Sequence, residues 1–423
     1  MKKIALASLI ILGKTALAQS IGNSPYAAFG VGDVKYDNNI ETSSMGGISA
    51  AYISDFNNSF NFKNPAANKN LELTSFRLQA NNENIFLKSN YNNVNTTKHS
   101  TYLSNISIAF PLSPKMKFGI RYQPYSSKKY EMITRTETSS GLTRGDAFTG
   151  SGTLNTIQAA LSYSVTPEFS LGARSNFYFG KITDLEEVTF SNVQLVNGFE
   201  TYRKLKTWNF TLGTTFQKKI KNDRKITVGG TYTFGNTGSL VSQYTNSTYF
   251  YSGNIVTNQN IIEESRDTEK NIIPQEATLG IGYGKDGKWF VSSEFDYKKG
   301  GNIRFMGVPT RFNDSYRIAV GGWYLPNFNN FRNYFSRVIY RYGAYYEKGT
   351  LNINGTNIDE YGVTLGATLP FSNNNVMKMN GIDIGLDIGN RGTLRNNMIS
   401  ERFVNLKIGL HFADKWFNKR QYD

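Results

Sequence analysis

Most of the chain alternates between apolar and polar residues. In its last such stretch Val404, Leu406, Ile408, Leu410 and Phe412 are apolar, while Asn405, Lys407, Gly409 and His411 between them are polar or small. A period of two places neighbouring side chains on opposite faces of an extended backbone, so the stretch predicts a strand with one greasy and one wet face. A soluble sandwich could use one such strand. The pattern recurs, however: Ile382, Ile384, Leu386 and Ile388 alternate with Asp383, Gly385, Asp387 and Gly389, and Trp208, Phe210, Leu212 and Phe216 with Asn209, Thr211, Gly213 and Thr215. Followed along the chain, it predicts about fourteen strands, near 72–80, 101–112, 116–135, 153–165, 169–187, 202–218, 225–238, 274–284, 288–299, 314–325, 337–347, 357–371, 379–389 and 400–412. An even set of antiparallel strands, apolar without and polar within, predicts an all-β fold, a closed antiparallel transmembrane β-barrel.

The connections alternate in length. Ser113-Pro114-Lys115, Thr166-Pro167-Glu168, Asn222-Asp223 and Asp286-Gly287 are turn-forming and short. Polar stretches 81–100, 137–152, 239–273 and 299–313 read as long loops, the third as mobile. Short periplasmic turns and long external loops are the asymmetry of bacterial outer-membrane barrels. Aromatic residues gather near strand ends, as at Trp323-Tyr324 and Tyr345-Tyr346, where rings suit headgroup depth.

Composition narrows the class. With 39 Gly, 26 Tyr and 29 Phe and a mean hydropathy of -0.42, a membrane protein of this make-up is a barrel and not a helical bundle. Lys2 and Lys3, the apolar run Ile4 to Leu12 and the small-residue stretch Ala16-Leu17-Ala18 predict a signal peptide cleaved after Ala18. That apolar run is far below the roughly 20 residues of a membrane-spanning helix. The expected destination is the outer membrane of a Gram-negative bacterium. Without cysteine there is no disulfide framework and no thiolate metal site. The formal net charge is +15. The basic residues are dispersed, which argues against nucleic acid and makes outer-membrane lipids and lipopolysaccharide the expected anionic partners. The chain divides into a signal peptide (1–18), a plug or hatch segment (19–70), the barrel (71–412) and a basic periplasmic tail (413–423).

Between leader and first strand the residues do not alternate, and they include Gly30, Gly32, Gly46, Gly47 and the triplet Asn64-Pro65-Ala66. Glycine permits tight backbone paths, and a barrel of this size has room for an inserted segment. Ser44-Met45-Gly46-Gly47 followed by Asn64-Pro65-Ala66 resembles the hatch of the FadL-like family of outer-membrane transporters for long-chain fatty acids and other hydrophobic compounds. The segment Asp359 to Gly366 and the ending Asp414 to Arg420 look like an uncharacterised branch of that family. The resemblance implies fourteen strands, a gating role for Gly46, Gly47, Asn64, Pro65 and Ala66, and cargo leaving sideways through a strand defect. Pro124, which removes a ladder donor inside a strand, is the candidate for that irregularity.

The phase of the strands sends Arg77, Arg121, Arg174, Arg317, Arg341, Glu294 and Asp296 into the lumen, with Lys407, Asp383 and Asp387. They read as mutual ion pairs and plug contacts; one guanidinium could hold a fatty acid carboxylate. His99 and His411 lie far apart in this topology, and no Gly-x-Ser-x-Gly elbow occurs, so no enzyme and no cofactor is implied. Two functions remain: passive uptake of a hydrophobic small molecule through a hatch-gated lumen or lateral opening, and an accessory subunit, a plugged barrel partnered with other components of an outer-membrane secretion or barrel-assembly machine.

Overall fold

A computed structural model describes residues 24–416 apart from 36–38, 91–93, 140, 237–238, 271–272, 306–307, 331, 354 and 372–379. The signal peptide, its cleavage site and the tail beyond Trp416 lie outside the described residues. In chain order the strands are β1 (Asp33–Val34), β2 (Thr74–Ser89), β3 (Val94–Pro111), β4 (Met116–Ser127), β5 (Tyr130–Glu137), β6 (Thr143–Ser164), β7 (Phe169–Phe190), β8 (Val196–Ile220), β9 (Arg224–Thr233), β10 (Ser239–Ser252), β11 (Ile255–Lys270), β12 (Glu276–Lys285), β13 (Trp289–Lys298), β14 (Gly301–Phe305), β15 (Val308–Phe312), β16 (Ser315–Tyr324), β17 (Ile339–Lys348), β18 (Asn352–Ile353), β19 (Thr356–Asn357), β20 (Glu360–Pro370), β21 (Gly381–Gly392) and β22 (Ile399–Asp414). Helix α1 is the single turn Ile40–Ser43. No described helix is long and apolar enough to cross a membrane, which says nothing about crossing by strands.

Fourteen strands close a ring: β2, β3, β4, β6, β7, β8, β9, β12, β13, β16, β17, β20, β21, β22 and back to β2. Every ladder in the ring is antiparallel, and closure comes from Thr74–Ser89 against Ile399–Asp414. Apart from the short β3–β4 ladder, closing the ring pairs the backbone edges that would otherwise meet hydrocarbon, where water cannot substitute. The faces follow the alternation. Trp208, Phe210, Leu212 and Phe216 point outward and are exposed, while Asn209, Thr211 and Thr215 point inward and are buried.

Three staves run far beyond the 9–11 residues that a membrane requires: β6 and β7 have 22 residues each and β8 has 25. Their far halves carry further strands. β5 pairs with β6, and β10 takes over from β9 as the neighbour of β8, pairing Leu240–Tyr249 with Leu205–Val196, while β11 pairs with β10. The result is an outer sheet in the order β5-β6-β7-β8-β10-β11. Stretches 81–100, 137–152, 239–273 and 299–313, expected as loops, therefore hold strands or hairpins with short tips. They carry polar residues on both faces because they extend beyond hydrocarbon, so the greasy alternation fades although the ladder continues. Where outer sheet and barrel join, Leu154, Ile182, Leu205 and Leu240 pack with Val31, Tyr178 and Ile273. At that line Gly152 and Gly180 take φ of 114° and 144°, conformations open to glycine.

Residues 24–73 run from one end of the barrel to the other. Ser24 donates to the Glu401 carboxylate (2.6 Å) and Tyr26 to the Ile399 carbonyl (2.5 Å) at the outer end of β22. Asp33–Val34 pairs with Ser126–Ser127 of β4. Helix α1, capped by Asn39 accepting from the Glu41 amide, packs on β20, β21 and β22. At the short-turn end Asp55 accepts from the Gly287 amide (2.8 Å) and Lys69 donates to the Pro167 carbonyl (3.0 Å). The chain then enters β2 at Thr74.

Candidate functional site

The inner wall is shaped for this segment by glycines. A Cβ on Gly229 would lie 1.8 Å from the Ala50 carbonyl oxygen, on Gly321 2.2 Å from that of Met45, on Gly343 2.2 Å from the Gly46 nitrogen, and on Gly366 2.3 Å from Ser44 Oγ. On β7 and β8, next to β9, Gly172 and Gly213 leave the space taken by Pro65 and Asn64. Each is an inward position of a different strand, so main chain meets main chain around much of the ring. The alternating glycines were plain in the sequence; that they clear a path for residues 44–66 was not, because no single strand shows it.

Gly46 and Gly47 take φ of 70° and 81°. The Gly46 amide donates to Thr364 Oγ1 (2.8 Å), and its carbonyl accepts from the Arg317 guanidinium. A side chain on Gly47 would meet that same guanidinium. Asn64 Nδ2 donates to the Ala50 carbonyl (2.6 Å) and to Thr214 of the wall (3.2 Å), while its Oδ1 accepts from the Ala66 amide (3.0 Å). Pro65 lies against Gly172 and Gly213, and the Ala66 carbonyl accepts from Thr215 (3.2 Å). Asn61 and Asn68 close the loop on itself: Asn61 Nδ2 bridges the Ser49 and Tyr52 carbonyls, and the Asn61 amide donates to Asn68 Oδ1.

The inward charges meet partners from the segment. Arg77 contacts Glu41 at 2.8 Å and Arg341 contacts it at 3.6 Å. Arg174 donates to the Phe62 carbonyl (2.5 Å), and Arg121 lies over the Phe62 ring and donates to Gln158. Glu294 accepts from the Ser49 and Ala50 amides at 2.6 Å each and from Lys63 at 3.0 Å. Asp296 accepts from Thr278 (2.6 Å) and faces Lys63 and Arg317. Sequence reasoning omitted Glu41, where this web converges. Burial alone would raise its pKa, but Arg77, Arg341 and hydrogen bonds from Ser59 and Tyr52 outweigh that and hold it below 4.5. Arg391, also missed, joins Asp33 and Glu401 at 2.7 Å each near the outer end, and Lys35 joins Asp33 to Glu83.

Among the described residues the interior holds a cavity of about 180 Å³ and another of about 100 Å³. The larger is lined by Asp33, Lys35, Glu83, Arg317, Asp387 and Arg391 among others, so its walls are charged. His99 contacts Asn84 and His411 contacts Asp383; they share no site.

Pro124 marks an irregular place in the wall. The β4–β6 register shifts between Pro124 and Ser126, and the β3–β4 register covers only Ile106–Pro111 against Lys117–Tyr122. Beyond it, β4 takes β1 as its neighbour, with the Lys35 amide donating to the Tyr125 carbonyl (2.7 Å) and Ser126 Oγ to that of Val31 (2.8 Å).

This architecture is that of FadL-type barrels. The Pseudomonas putida toluene transporter TodX superimposes with a TM-score of 0.58 at 17% identity, over 92% of this chain and 100% of its own. The Ralstonia pickettii toluene transporter TbuX gives 0.58 at 15%, over 92% and 99%. A Pseudomonas aeruginosa FadL homologue gives 0.58 at 14%, over 90% and 98%. At such identities the likeness is one of fold. No curated protein is matched in sequence. The family model of BamG, in contrast, matches residues 1–423, and the chain belongs to the BamG family.

Proposed function

We propose that the protein is a plugged outer-membrane barrel acting as an accessory subunit of a larger outer-membrane machine, not an enzyme and not an open channel. The observation that carries this reading is the outer sheet. Its last strand, β11, pairs with β10 on one side, and its other edge has no ladder among the described residues. Ile255, Ile261 and Ile262 on it are 70%, 56% and 57% exposed. The edge sets these apolar side chains beside charged Glu263, Glu264, Arg266 and Asp267, a mixed surface on which a strand of another chain could pair. The interior supports it: described residues between 24 and 73 contact the inner wall near both ends, and the cavities of about 180 and 100 Å³ fall below the roughly 300–1,000 Å³ of ligand pockets and include charged residues in their walls. BamG family membership is in keeping with it.

The test is affinity purification from gently solubilised membranes. Stoichiometric partner proteins, lost when Ile261 and Ile262 are both changed to Lys in a barrel that still folds, are expected. A barrel that purifies alone from such membranes rejects the reading.

One observation favours a second reading, uptake of a hydrophobic compound. The short β3–β4 register beside Pro124, with β1 as the replacement neighbour, lies where a hydrophobic cargo could leave sideways if residues 24–66 shifted as a hatch. TodX and TbuX are toluene transporters of the same fold. A copurified apolar molecule and no partner protein would favour it.

A further inference from the structure

The outward face of β8 changes character abruptly. From the short-turn end it presents Phe216, Leu212, Phe210 and Trp208, then Lys206 and Lys204. At about 3.3 Å per residue and a tilt near 40°, the apolar part spans ~20 Å of depth, close to the ~25 Å apolar band of outer-membrane barrels. The lysines therefore begin where hydrocarbon ends, on the outer-leaflet side.

The neighbouring strand repeats the change. On β7 the outward Phe177 and Phe179 give way to Lys181. In the ladder Phe177 faces Trp208, Phe179 faces Lys206, and Lys181 stands directly opposite Lys204. Like charges in direct cross-strand register repel and weaken the pair unless an anion lies between them. All three lysines are exposed, and none has an ion pair among the described residues. Glu200, the next outward acid on β8, is two outward positions beyond Lys204. Beneath them Phe177 and Trp208 pack at 4.5 Å between ring centroids and Phe177 and Phe179 at 5.6 Å, and Trp208 and Phe210 stay more than half exposed. The patch thus joins a cationic triad to an aromatic floor at the depth where a lipid changes from phosphate to acyl chain.

We propose that Lys181, Lys204 and Lys206 form a binding site for a phosphate-bearing glycolipid of the outer leaflet. Its phosphate bridges the opposed pair Lys181 and Lys204, and its acyl chains lie on Phe177, Trp208 and Phe210. The site is independent of the accessory-subunit reading, since it faces lipid and uses neither the lumen nor the edge of β11. The glycolipid is preferred over a diacyl phospholipid because the triad with the directly opposed pair Lys181 and Lys204 lies at the outer end of this apolar face, continuous with the external sheet, while Lys218 is the single lysine of the β8 face at the other end.

The full-length barrel in nonionic detergent is titrated with diphosphoryl lipid A, with dephosphorylated lipid A and with phosphatidylglycerol, and bound lipid is counted by native mass spectrometry. Tight binding is expected for diphosphoryl lipid A alone. The triple change Lys181→Gln, Lys204→Gln, Lys206→Gln weakens it about tenfold or more, and the triple change to Arg retains it. Lys218→Gln, at the other end of the same face, leaves it unchanged. Heat-modifiable migration confirms that each variant is folded. Undiminished binding by the triple Gln variant, or binding by phosphatidylglycerol as tight as by lipid A, overturns the proposal.

Discussion

At the scale of single residues, interior fit depends on what is missing as much as on what is present. Gly229 and Gly343 lie so near the segment's backbone that any side chain displaces it. Gly343→Val should cost about 1–3 kcal/mol or more through overpacking, read as a lower temperature for loss of the heat-modifiable folded band. Glu41 is the opposite case, a group whose removal takes a shared partner from two others. Glu41→Gln removes the carboxylate nearest to both Arg77 and Arg341 and leaves them Asp383, 4.0 Å from Arg341, so the loss should stay below the about 3–5 kcal/mol of a fully broken buried pair. Its pH response has a defined sign: the folded state holds this carboxyl below 4.5, so the stabilisation is complete above that value and is lost as pH falls through the folded pKa. Hydrogen-exchange protection factors of residues 39–66, which allow for the intrinsic slowing of exchange in acid, should fall on acidification below about pH 4.5, and the Gln variant should lack that step. Unchanged protection in the wild type would show that the carboxylate does not hold the segment.

At the scale of elements, one position links wall and segment. Replacing Lys35 with Pro removes the amide that donates to Tyr125 and the ammonium that joins Asp33 to Glu83. Cleavage near residue 35 by added protease should then become detectable in the folded barrel while β2 to β22 remain protected; full protection would mean that β1 contributes little to docking. Alternation made the membrane part of the fold legible. The stave ending at Phe412 was evident because lipid demands a greasy face, and Pro124 was recognisable as a defect since proline lacks a donor. The outer sheet was not, because residues such as Thr201 and Glu200 meet water or polar neighbours, and nothing forces a two-residue hydrophobic period. The Arg317–Gly46 and Asn64–Thr214 contacts were also hidden, since periodicity gives a side chain's face but not what crosses the lumen to meet it.

At the scale of the whole molecule, the charged and threaded lumen predicts near-silence in a planar bilayer. The intact barrel should conduct far less than an unobstructed barrel of fourteen strands, and deletion of residues 22–66 should raise its conductance if a folded ring survives. Equal conductance of the two would reject occlusion by that segment.

The path of residues 24–73 bears on biogenesis. The stretch made first finishes with Ser24 beside the far rim, while β22, made last, completes the seam against β2. A ring sealed empty could be filled afterwards only by threading this stretch lengthwise from the short-turn end, along a path where Gly229, Gly321 and Gly343 leave it no spare width. Zippering β22 onto β2 with this stretch already laid along the curling sheet avoids that passage, the barrel then closing as a trough wrapped around its own beginning.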